Sequence, residues 1–143
     1  MNEKNSILKA SAEIKIRFSE VDSMHIVWHG SYALYFEDAR EAFGAKYGLG
    51  YLDIFARGYY APLTDLRFSY KKPLVYCRKA HVDITYRHTE AAKIVFDYAI
   101  FDSEDGSPAA VGSSTQVFLD KQYKLVWTNP PFYEEWQRKW GLI

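Results

Sequence analysis

The residues best suited to chemistry lie between Arg17 and Arg40, RFSEVDSMHIVWHGSYALYFEDAR. Asp22, His25 and His29 occupy a turn-like first half, and a helical pattern opens directly behind them. A carboxylate can take a proton from water or attack an electrophilic carbon itself. A helix N-terminus offers unpaired N–H groups and the positive end of a dipole, which suit a developing oxyanion. Together the two would suit a reaction that needs a base or nucleophile beside a stabilised negative charge. From spacing alone, Asp22 is more simply a turn or cap aspartate that needs only backbone donors. His29 is equally a polar residue ahead of a helix, and His25 either lines a pocket or sits on the surface of the turn. A metal held by Asp22, His25 and His29 fits poorly. Gly30-Ser31 places both histidines before the regular helix, so they need not share a face, and no further ligand clusters with them.

Other reactive types have simpler readings. His81 and His88 fall on opposite faces of one strand by parity. Cys77 sits beside a turn with no histidine partner to activate it. There is no G-x-S-x-G elbow and no Gly-rich phosphate loop. Lys71, Lys72, Arg78 and Lys79 cluster around one turn. Singly each is a solvated turn residue; as a group they could contact phosphates.

The elements that must position these residues follow from periodicity. Glu13 to Phe18 alternates as a half-buried strand, with Ile14, Ile16 and Phe18 on one face. Residues 1–12 are polar and read as loose. Ser31 is a good N-cap. Tyr32, Tyr35, Phe36, Ala39, Ala42 and Phe43 then form a broad apolar stripe, with Glu37, Asp38, Arg40 and Glu41 largely off it. Tyr51 to Ala56 suits one more short helical turn. Strand patterns follow at Leu66–Tyr70, Lys79–His88, Lys93–Asp102 and Ala109–Asp120, the last with Val111, Val117 and Leu119 on one face. Three hairpin-like connections predict an antiparallel meander. Phe132 to Trp140 reads as a short amphipathic C-terminal helix, with Glu134–Arg138 and Glu135–Lys139 spaced to pair. The fold class is therefore α+β, about five strands on one long helix, in one domain over 1–143 with a terminal extension at 128–143.

Composition excludes several classes. Acidic and basic residues number 18 each in 143, so the net charge is zero. That argues against nucleic-acid binding and against a polybasic membrane patch. A single cysteine excludes an internal disulfide framework and suits a reducing compartment. No apolar run approaches the roughly 20 residues of a membrane span, and the N-terminus lacks a signal-peptide core. The expectation is a soluble cytoplasmic protein.

The run from Arg17 to Tyr47 resembles the hot-dog fold thioesterases of the 4-hydroxybenzoyl-CoA thioesterase-like type. The carriers are Asp22, Val27, Trp28, His29 and Tyr32 with Tyr35-Phe36-Glu37. Leu66 to Pro73 and Val111 to Asp120 resemble the family's second and last strands, so the likeness covers the chain to about Asp120. It implies an antiparallel sheet curled around the long helix. It also implies acyl-CoA or acyl-carrier-protein thioester hydrolysis, with Asp22 as general base or nucleophile, His29 as helper, and the carbonyl held at the helix start near Trp28 to Tyr32. His25, Trp28, Tyr32, Lys71, Lys72, Arg78 and Lys79 are the implied substrate contacts. No cofactor and no metal is implied. The third residue after the aspartate is commonly glycine in the family; here it is His25, preceded by Met24. That departure keeps a non-catalytic acyl-thioester binding module open. A hot-dog dehydratase or hydratase is the third alternative, and its His placement finds no good match here.

The resemblance implies a homodimer or homotetramer, and zero net charge offers little repulsion against self-association. Size-exclusion chromatography with light scattering at micromolar concentration is expected to show such an assembly. A monomer alone would remove the expectation.

Overall fold

The computed structural model describes residues 7–143. Strand β1 is Lys9–Ile14, helix α1 is Tyr32–Tyr47, and a short α2 is Tyr51–Ala56. Strands β2 (Leu63–Tyr70), β3 (Ala80–Arg87), β4 (Lys93–Asp102) and β5 (Pro108–Val117) follow, then helix α3 (Pro131–Lys139). One five-stranded antiparallel sheet has the order β1-β3-β4-β5-β2. It curls around α1, which is the hot-dog arrangement.

The strands do not form the expected meander. Only β3–β4 and β4–β5 are consecutive neighbours; β2 pairs with β5 at one edge, and β1 pairs with β3 near the other. Alternation identifies a strand but not its partner. The 71–79 connection consequently crosses from one side of the sheet to the other. On its way it gives Leu74 C=O to Val27 N–H at 2.8 Å and takes His25 C=O on Tyr76 N–H at 2.9 Å. That crossing brings the end of β2 to the Asp22 turn.

Strand β1 begins earlier than its alternation suggested. Its pairing with β3 runs from Lys9↔Thr85 to Ile14↔Ala80. Ala10 and Ala12 occupy its inner face, and alanine is a weak strand signal. Of the residues expected to be loose, 9–12 are therefore strand, and 1–6 lie outside the described residues. Phe18 is exposed in a 3-10 turn, Phe18–Glu20, not on a strand face.

Helix α1 buries Tyr32, Tyr35, Phe36, Ala39, Phe43 and Tyr47, but Arg40 as well. Arg40 was expected off the stripe. It is accommodated because Nη1 donates to Tyr98 Oη at 3.0 Å and Nη2 to Glu37. Phe36 lies flat on Tyr98, centroids 4.1 Å apart and planes 4° apart, and stacks on Phe68 at 4.9 Å. Strand β5 faces α1 with Ala110, Gly112, Ser114 and Gln116, the parity opposite to Val111, Val117 and Leu119. Small and polar residues stand inside there because the Phe36 ring leaves no room for larger ones. A Cβ on Gly112 would come within 2.2 Å of Arg67 C=O and 2.6 Å of the Phe36 ring.

Helix α3 starts with Pro131 at a position where no N–H is required. It closes the far end of the core. Trp136 and Trp140 both donate their indole N–H to Tyr47 C=O, at 2.7 and 3.1 Å, so α3 covers the end of α1. Arg138 pairs with Glu134 at 3.6 Å. A Glu135–Lys139 pair is not formed among the described residues.

The 71–79 connection is fastened to the β4–β5 turn by charge. Arg78 donates twice to the buried Asp102, at 2.7 and 3.1 Å. Glu104 N–H donates to the same carboxylate at 2.9 Å. Lys72 reaches Asp105 at 2.9 Å and Asp102 at 3.5 Å. The Arg78 guanidinium, followed by the Glu104 N–H, holds the Asp102 carboxyl down from 3.8 to about 2, against burial, which pushes it up.

Two outcomes are expected from these contacts. Gly112→Ala should lower stability by about 1–3 kcal/mol through overpacking, read from the urea midpoint at unchanged slope. For Asp102 the folded pKa is depressed, so its stabilisation is complete above the unfolded value and disappears as pH falls from about 4 towards 2. Asp102→Asn should therefore be less stable than the parent at pH 7. The gap should narrow through that window in acid-unfolding curves.

Candidate active site

The Asp22 turn is fixed by its own backbone. Asp22 N–H donates to Ile26 C=O at 2.9 Å, and His25 N–H donates to Asp22 C=O at 3.0 Å. Val21 bridges Val27 across the turn. Asp22 Oδ1 accepts the Met24 N–H at 2.8 Å, which orients the carboxylate. No hydrogen bond to its Oδ2 occurs among the described residues.

His25 closes the turn with φ 62°. That is the left-handed region, where glycine is favoured and histidine is tolerated better than most residues. The His25 side chain is exposed and does not line the cavity described below. The residue standing in the glycine position therefore satisfies a backbone requirement and does not crowd the site. Its neighbour Met24 does line the cavity.

After the turn, His29–Ser31 forms a 3-10 turn that runs straight into α1. Ser31 is not a side-chain cap. It is already helical, with φ −82° and ψ −15°, and its Oγ donates back to Glu20 C=O at 3.3 Å. Trp28 is 52% exposed, its ring against His29 with centroids 4.9 Å apart. Gly30 permits that placement, because a Cβ there would lie 2.1 Å from the indole.

A cavity of about 370 Å³ opens between the turn, the start of α1 and the end of β2. Its walls include Asp22, His29, Tyr32, Lys71 and Lys72, which the sequence had singled out. Trp28, Arg78 and Lys79, like His25, are not among the lining residues. Arg78 is engaged with Asp102, and the Lys79 backbone N–H donates to Glu104 at 3.0 Å. No hydrogen bond joins Asp22 to His29 among the described residues. No group of three or more His, Cys, Asp or Glu side chains there is placed to hold a metal.

Met24, already marked in the sequence by its bulk beside the turn, lines the cavity, and sequence reasoning missed Ile26, Val27, Tyr70 and Pro73 there. Tyr70 matters most. Its hydroxyl donates to His29 C=O at 2.7 Å, and its ring meets Tyr32 edge-on at 4.9 Å. Burial pushes the Tyr32 hydroxyl above its ordinary pKa, so it remains a neutral donor. The Leu66/Phe68/Tyr70 alternation was the available signal, but it could not say that β2 ends beside α1.

Comparison with known proteins accords with this geometry. Residues 16–140 match the model of the thioesterase-like superfamily. A Bacillus subtilis protein named "Putative acyl-CoA thioesterase YneP" is 33% identical over 77% of this chain and 79% of its own length. An Arabidopsis thaliana protein, acyl-acyl carrier protein thioesterase ATL3, is 28% identical over 80% of this chain and 60% of its own. The crystal structure of a DHNA-CoA thioesterase from Staphylococcus aureus superimposes with a TM-score of 0.81 at 31% identity, covering 92% of this chain and 89% of that one. No helix among the described residues is long and apolar enough to cross a membrane. With a family match across most of its length, on a curled sheet whose central helix starts beside an oriented aspartate, the chain belongs to the thioesterase-like superfamily.

Proposed function

We propose that the chain is an acyl-CoA thioesterase that releases a free acid and a thiol, with Asp22 as the reacting carboxylate. The observation that carries this is the shared cavity: Asp22, His29 and Tyr32 line one space of about 370 Å³ with Lys71 and Lys72. Asp22 is held by the Met24 N–H through one oxygen, which leaves the other for water or for the acyl carbon. As general base, Asp22 takes a proton from water while the water oxygen bonds to the thioester carbon. The C–S bond then breaks, and the thiolate leaves and is protonated. As nucleophile, Asp22 bonds to the thioester carbon, the C–S bond breaks and the thiolate leaves and is protonated; water then hydrolyses the mixed anhydride to the free acid and the Asp22 carboxylate.

The oxyanion of either route needs donors at the helix start. Ser31 N–H is taken by Trp28 C=O at 2.9 Å. The N–H groups of His29 and Gly30 donate to no backbone carbonyl among the described residues, and the dipole of α1 adds to them. Lys71 supplies a phosphate contact for coenzyme A, because Lys72 is already paired with Asp105. The free edge of β2, at the end of the sheet order, supports edge-to-edge pairing with a second copy.

A non-catalytic binder remains the second reading, favoured by the bulky Met24 on the cavity wall. One experiment separates the two. Purified protein is offered short, long and aromatic acyl-CoAs with thiol detection, beside Asp22→Asn. Turnover by the parent and a loss of roughly two orders of magnitude or more in the variant are expected. Equal rates would sink the mechanism, and binding without thiol release would select the binder.

A further inference from the structure

We infer that Glu20 is a positioning residue for the Asp22 reaction, acting as the clasp that holds the Asp22 turn against α1. This rests on the acyl-CoA thioesterase reading above. Glu20 ends the 3-10 turn Phe18–Glu20 and is only 8% exposed. A single carboxylate oxygen, Oε1, accepts two hydrogen bonds, from Arg17 N–H at 2.8 Å and from Tyr35 Oη at 3.0 Å. The Glu20 backbone carbonyl accepts two more, from Trp28 N–H at 2.8 Å and from Ser31 Oγ at 3.3 Å.

These four bonds have a common consequence. The turn carrying Asp22 leaves Glu20 and returns at Trp28, where the Glu20 backbone carbonyl joins its ends whatever the side chain; what the side chain adds is the Oε1 tie from Arg17 N–H to Tyr35. Tyr35 adds a point one turn inside α1. Glu20 therefore fixes the place of the Asp22 carboxylate relative to the first N–H groups of α1, the two parts that must meet across the reacting carbonyl. Glu20 does not line the Asp22 cavity, so it touches no substrate there.

The residue type sharpens the point. A buried carboxylate is costly unless paired. No Lys, Arg or His nitrogen lies within ion-pair distance of Glu20 among the described residues; the donors are neutral. Burial, and then the hydrogen bond to Glu20, pushes the Tyr35 hydroxyl well above its ordinary range, so Tyr35 stays a donor at any working pH. Part of the Glu20 carboxylate's use is local, since Oε1 caps the Arg17 N–H at the start of the 3-10 turn; the second bond, from Tyr35, carries the same oxygen to α1. Glutamine carries the same acceptor at the same place.

The test is a set of variants assayed for kcat and KM on whichever acyl-CoA the parent hydrolyses, with melting temperatures alongside. Glu20→Ala is expected to lower kcat by about 10- to 100-fold with KM within about threefold, as a misplaced reacting group does. Glu20→Gln should recover most of that loss. Tyr35→Phe removes one donor and should lower kcat less, and the Glu20→Ala/Tyr35→Phe double variant should fall short of the product of the single effects. Full activity in Glu20→Ala would overturn the inference. So would a loss confined to KM, or a Glu20→Gln variant as slow as Glu20→Ala, since that would make charge the requirement. If Glu20→Ala fails to fold, Tyr35→Phe and Glu20→Gln decide: parent kcat in Tyr35→Phe, or a slow, folded Glu20→Gln, overturns it. A parent that hydrolyses no acyl-CoA ends both readings. An active parent with a dead Asp22→Asn and an unaffected Glu20→Ala ends this one alone.

Discussion

The fold depends on where the Phe36 ring goes. It is sandwiched between Tyr98 of β4 and Phe68 of β2, with Gly112 of β5 beneath it. Each aromatic stack contributes about 0.5–1.5 kcal/mol beyond the area buried, but its larger effect is geometric. A flat ring between flat rings over a bare backbone sets the rotation of α1 and its height above the sheet. A slip by one residue would turn the helix by about 100° and aim Glu37 at Tyr98. With α1 fixed at Phe36, its first turn is fixed beside the end of β2, where Tyr32 meets Tyr70.

That packing explains why the interior under the helix is partly polar. Tyr98 carries its hydroxyl past Phe36 to Ser114 Oγ at 2.6 Å and to Arg40 at 3.0 Å. Gln116 donates to Ala61 C=O at 2.7 Å. Ser114 and Gln116 are buried on β5 because α1 leaves little depth there, and their partners meet most of the desolvation cost. Burial works against the Arg40 charge, and Tyr98 and then Glu37 restore it. A second polar set lies where α3 closes the core, in which the Tyr86 and Tyr133 hydroxyls lie 2.5 Å apart with Gln137 at 3.3 Å from Tyr86.

This polar inner face marks the limit of what periodicity can read. The α1 stripe and the β3 and β4 alternations were legible because large apolar side chains recur there at one period. The inner face of β5 was not, since Ala110, Gly112, Ser114 and Gln116 look like a solvent face. The place of β2 beside β5 was invisible for a different reason: pairing across 40 or more residues leaves no local trace, as with Phe68↔Gly112. The site divides along the same line. Asp22, His29 and Tyr32 follow one another along the chain into one cavity, and the sequence singles them out through the family resemblance, since spacing alone favours plainer readings. Tyr70 reaches His29 across 41 residues, and Arg78 is held by Asp102 across 24. Neither relation can be read from the neighbourhood of either residue.

Not every position in the Arg17–Arg40 stretch therefore carries the same kind of information. Asp22 brings a carboxylate to the cavity wall, oriented by the Met24 N–H. His25 and Gly30 are there for backbone reasons, one to hold a positive φ and the other to let an indole lie close. Glu20 belongs to a third kind, a charged residue used as a buried acceptor. The His25 side chain is exposed and is not among the residues lining the cavity, while His25 C=O meets Tyr76 N–H. The Asp22 turn keeps its path through two closures, Asp22 to Ile26 and Glu20 to Trp28. Those closures are backbone hydrogen bonds, which any residue but proline can donate; the path of the chain shapes the turn, and the Glu20 side chain ties that turn to α1 through Tyr35.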